Sequence, residues 1–116
     1  MPEPAVFFAD LATEAPPLPR GIHSQTLYDG PDLRFILFTF APGEELSEHT
    51  AARPAVVHVL HGEGDAVVGG EPHPIAGGTW FRMPARMAHS IRARTTLRMA
   101  LYLLPAEGSP EDRLAR

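Results

Sequence analysis

Thirteen prolines and ten glycines are spread through a chain of 116 residues, and that density decides most of what the chain can fold into. A proline has no backbone N–H to donate and a glycine loses extra entropy in a regular element, so little room is left for long helices. Short runs rich in β-branched and aromatic residues lie between them, at 21–28, 33–41, 55–61, 66–68, 79–83, 90–95 and 97–104. The breaks are turn chemistry, as in Asp29-Gly30-Pro31-Asp32 and Gly62-Glu63-Gly64-Asp65. Short strands punctuated in this way predict an all-β, mostly antiparallel double sheet of roughly six to eight strands.

The chain is long enough for one modest core and too short for two. We therefore read 1–116 as a single domain: an extended N-terminal arm at 1–20, a barrel at 21–105 and a polar C-terminal tail at 106–116. The net charge of −4 argues against nucleic acid as a partner. All ten basic residues are arginines, five of them between Arg82 and Arg98. That cluster offers a meeting point for an anion, although strand alternation should turn most of it to solvent. The absence of cysteine excludes disulfides, thiolate ligands and a cysteine nucleophile. The apolar run Phe35 to Phe38 is far shorter than the roughly 18 residues of a membrane span. Met1-Pro2-Glu3-Pro4 lacks the basic start of a secretory signal. A cytoplasmic protein with no membrane partner is the expectation.

Two strands are apolar on both faces. Leu33, Phe35 and Leu37 alternate with Ile36, Phe38 and Phe40, and Leu97, Met99, Leu101 and Leu103 alternate with Ala100, Tyr102 and Leu104. Such strands need a second cover, supplied by the arm or by a partner subunit. A homodimer is the favoured expectation.

Glycines, histidines and a proline recur at telling intervals in the middle of the chain. Gly43, His49 and Gly62 form one set; Gly78, Pro84 and His89 form another. Their order and spacing resemble the two motifs of the cupin superfamily. The resemblance implies a cupin-type double-stranded β-helix, or jelly-roll, barrel, with His49 and His89 facing inward across its cavity. In metal-binding members, two histidines and a glutamate of the first motif, with the histidine of the second, hold a divalent metal. Here the second histidine position is Ala51 and the glutamate position is Ala55, while Arg86 and Ala93 replace the glycine and asparagine of the second motif.

Only His49 and His89 therefore carry over as candidate ligands for zinc, manganese, iron or nickel, with His58 as the candidate third. A period of two puts Ala55, Val57, Val59 and His61 on one face and His58 on the other; the resemblance implies that the Ala55 face is the interior, so His58 turns outward unless a bulge intervenes. His23, His61 and His73 lie beside turns or a strand start and are expected in solvent. Ser47, His49, Trp80 and His89 are the candidate lining of a small-molecule pocket, apolar walls with a few polar anchors. The primary expectation is a small-molecule-binding barrel, with any metal held weakly. The alternative is a metal-dependent enzyme of dioxygenase or isomerase type, as the resemblance suggests.

Overall fold

The computed structural model describes residues 3–15 and 18–106; most of the expected tail at 106–116 lies outside them. Nine strands form two antiparallel sheets: β1 (Ile22–Asp29), β2 (Arg34–Phe40), β3 (Glu45–His49), β4 (Ala55–His61), β5 (Glu63–Val68), β6 (Glu71–Ala76), β7 (Trp80–Met83), β8 (His89–Ala93) and β9 (Leu97–Leu103). One sheet has the order β1-β2-β9-β4-β7 and the other β3-β8-β5-β6. The expected six to eight strands become nine because β3 and β6 carry no apolar run.

The inward face of each strand is set by its alternation. Ala55, Val57 and Val59 of β4 are buried with Leu97 and Met99 of β9, Met83 of β7, and Ala66, Ile91 and Ala93 of the opposite sheet. Phe40 closes this core without measurable exposure. Burial of a side chain of that kind stabilises by roughly 1.5–3 kcal/mol. Gly62, between β4 and β5, is held at φ +95°, and a Cβ there would lie 2.0 Å from the carbonyl oxygen of Thr96. No other residue fits that turn.

The second apolar face of β2 and β9 is covered, at least in part, by the chain's own arm. Phe35 stacks on Tyr102 at 4.8 Å, and Phe8 of the arm meets Phe35 edge-on at 6.2 Å. Leu37, Thr39 and Ala100 of this outer face are fully buried. Among the described residues of the arm there is one 3-10 turn, Leu11–Thr13, which Asp10 caps by accepting the Ala12 N–H.

Candidate functional site

His49 and His89 stand directly opposite each other on the neighbouring strands β3 and β8. They are side by side on one sheet, which corrects the expectation of two rings facing each other across the cavity. Their ring centroids lie 4.1 Å apart, with the planes inclined at 59°. A bulge makes the pairing possible. Leu46 pairs with Ile91 and His49 with His89, so three steps on β3 match two on β8. The extra residue returns His49 to the face that Leu46 occupies.

Each imidazole is fixed by the carbonyl two residues before it. Nδ1 of His49 lies 2.9 Å from the Ser47 oxygen, and Nδ1 of His89 lies 3.0 Å from the Met87 oxygen. A carbonyl only accepts, so each Nδ1 carries the proton and each Nε2 keeps a lone pair in the neutral ring. Two adjacent nitrogen acceptors result. His89 is 8% exposed while His49 is open to solvent, so the pair runs from the barrel wall to its rim. Burial pushes the His89 imidazole below the usual histidine range. The Met87 hydrogen bond opposes that shift and the neighbouring His49 ring adds to it.

The other expected site residues divide. Ser47 is exposed and serves through its carbonyl rather than its hydroxyl. Trp80 is not beside the imidazoles. It stands on β7, at the edge of the other sheet, 60% exposed. There it lines a recess of about 250 Å³ with Ala66, Val68, His73, Ile75 and Phe81. Val68 is the cross-strand neighbour of His89, so the recess floor abuts the histidine pair. His58 does not complete the site. β4 alternates without a break from Ala55 to Val59, which leaves His58 on the outer face opposite Ala100 and Trp80. Among the described residues, no group of three or more His, Cys, Asp or Glu side chains is placed to hold a metal ion.

One histidine departs from its expected exposure, one changes face and one acquires a role. His61 is exposed as expected, but a bulge after Val59 sets it opposite Arg98 on the outer face rather than on the face of Ala55 that period two assigns to it. His23, expected in solvent, is half-buried, and its Nδ1 is buried without a partner. His73 is exposed as expected, but it lines the recess and approaches Glu71 at 3.8 Å. The signal for it was the alternation Glu71, His73, Ile75, hidden between Pro72 and Pro74.

The model of the cupin domain matches residues 36–105, more than half of the chain. The chain belongs to the cupin family. Among solved structures, this cupin is similar to a conserved protein of unknown function from Streptococcus pyogenes, with 25% identity and TM-score 0.78; the match covers 91% of this chain and 93% of that one. It is also similar to a cupin 2 conserved barrel domain protein from Leptotrichia buccalis, with 32% identity and TM-score 0.75, over 81% of this chain and 46% of that one. A salicylate 1,2-dioxygenase from Pseudoaminobacter salicylatoxidans shares the fold, at 22% identity and TM-score 0.68, over 72% of this chain and 26% of that one. No curated protein matches the chain.

Proposed function

We propose that this cupin binds a small molecule at the barrel mouth, anchored by the Nε2 atoms of His49 and His89. The observation that carries the reading is the paired Nδ1–carbonyl bonds, which leave Nε2 of each of two adjacent rings as an acceptor. Neutral imidazoles presented in this way receive a hydroxyl or amide donor. The apolar recess under Trp80 and Phe81 would receive the body of the ligand. Phenol is a suitable probe, because it offers one donor on one ring. Phenol should shift the imidazole nitrogens of both histidines and the amide of Val68 in NMR spectra, with the effect lost in His89→Ala. Shifts confined to other parts of the barrel would defeat the reading.

The second reading, a metal-dependent enzyme, draws on the dioxygenase fold and on the two imidazole donors. A metal centre needs three or four donors at about 2.0–2.2 Å, and the side chains present supply two. The donor set does not fit a tightly held metal, so we assign no step of chemistry to one. Zinc or manganese should bind the native protein weakly in calorimetric titration. Ala51→His with Ala55→Glu restores the family's donor set and should tighten binding by several kcal/mol, given that full zinc sites reach roughly 10–16 kcal/mol. Tight native binding would overturn this view.

We also infer a cytoplasmic homodimer. No helix among the described residues is long and apolar enough to cross a membrane. The outer faces of β4 and β7 present Val56, His58 and Trp80, and Phe7 of the arm is 86% exposed.

A further inference from the structure

On the outer face of the five-stranded sheet, a row of polar residues crosses four strands. His23 of β1 pairs with Thr39 of β2, Thr39 with Arg98 of β9, and Arg98 with His61 of β4. Three of the four keep a buried polar atom with no hydrogen-bond partner: His23 Nδ1, Thr39 Oγ1 and Arg98 Nε. Thr39 has no exposed surface at all. Buried donors left unpaired are costly and uncommon, and several in one row call for a physical explanation.

Arg98 is also the exception in its cluster. Arg82, Arg86, Arg92 and Arg94 are exposed, and Arg94 is paired with Asp65 at 3.0 Å. Arg98 instead lines a recess of about 450 Å³ between the sheet and the arm, with His61, Leu60, Phe8, Leu11 and Ala12. That volume lies within the range of about 300–1,000 Å³ typical of small-molecule sites. One wall is apolar and the other carries a guanidinium that stays charged at any working pH. Asp10 also lines the recess, but its carboxylate is engaged in capping the 3-10 turn through the Ala12 N–H.

We infer that this recess is a second ligand site, distinct from the histidine pair, which takes a small monocarboxylate with an apolar tail. The carboxylate lies on Arg98 in the manner of an Arg–carboxylate pair, and the tail lies against Phe8, Leu11 and Leu60. The charge of Asp10 nearby selects against ligands with two negative charges. The site is on the face of the sheet opposite the core, so it operates independently of whatever His49 and His89 bind.

The test is NMR titration of the full chain with hexanoate, hexanamide and inorganic phosphate, following the Arg98 Nε–H and the Thr39 amide. Hexanoate should give saturable shifts at both, while hexanamide gives none and phosphate binds more weakly. Arg98→Met should weaken hexanoate binding roughly tenfold or more, as expected for loss of a charge-assisted pair. Arg98→Lys, which keeps the charge and loses the planar fork, should fall between. A dispersed amide spectrum establishes that each variant is folded. Asp10→Asn should tighten binding, and His49→Ala should leave it unchanged. Absence of a saturable shift, equal shifts with hexanamide, binding retained in Arg98→Met, or phosphate binding as tightly as hexanoate would each overturn the assignment.

Discussion

His89 is the residue through which acidity should reach the fold. Its pKa is lowered in the folded state, first by burial and then by the neighbouring His49 ring. A histidine of this kind contributes stability in full above its unfolded value of about 6.5. The contribution is lost as pH falls through the lower folded value, because the unfolded chain takes up the proton more readily. The melting temperature should therefore decline from pH 7 to pH 5, and His89→Gln should flatten that decline. Equal slopes for both proteins would place the acid sensitivity elsewhere. A different residue shows what a departure from the family motif implies. Arg86 stands where the motif has glycine, and its backbone still adopts φ +67°. The local geometry has been kept although the residue suited to it is gone, and the extended stem of an exposed arginine tolerates it at a cost of about 1–2 kcal/mol.

At the level of elements, strands with apolar alternation were legible and strands without it were not. β4 was read at its observed bounds, Ala55–His61, because it is a valine-rich run set between Pro54 and Gly62. β6 was missed because Pro72 and Pro74 read as breakers. Two residues apart on a strand, they remove donors from the same edge, and β6 is the outer strand of its sheet, so the missing donors face solvent. β3 was missed because Glu45-Leu46-Ser47-Glu48-His49 is polar, as suits an exposed edge. The site followed the same rule. His49 and His89 were legible from motif spacing. The distance of Trp80 from them was not, because strand order within the sheets sets it and spacing does not. The proline pair also protects an open edge against pairing with other chains. Pro72→Thr with Pro74→Thr should increase self-association on concentration, measured by light scattering, with little change in the far-ultraviolet spectrum.

For the molecule as a whole, the arm divides the two-faced sheet into a covered half and an open half. Phe8 lies against Phe35 of β2, and Leu11 and Ala12 share a recess with Arg98 of β9 and with Leu60 and His61 at the end of β4. Val56, His58 and Trp80 instead lie where β4 pairs with β7. The double-sided apolarity that first suggested a partner thus has two answers in one molecule. If the open half is the dimer contact, the interface should bury more than about 1,000 Å² in total. Sedimentation velocity at micromolar concentration should show a dimer, and His58→Asp with Val56→Asp should shift it to monomer. A monomer in the native protein would leave the arm as the sole cover.

The bulge in β3 has a further consequence. Without it, the pairing that begins at Leu46 and Ile91 would continue evenly, bringing Glu48 opposite His89 and turning His49 to the other face of the sheet. The strand is an outer one with a partner on one side only, so few bonds resist a slip of this size. A one-residue shift of register in this five-residue strand therefore separates a pair of nitrogen acceptors from a carboxylate–imidazole dyad.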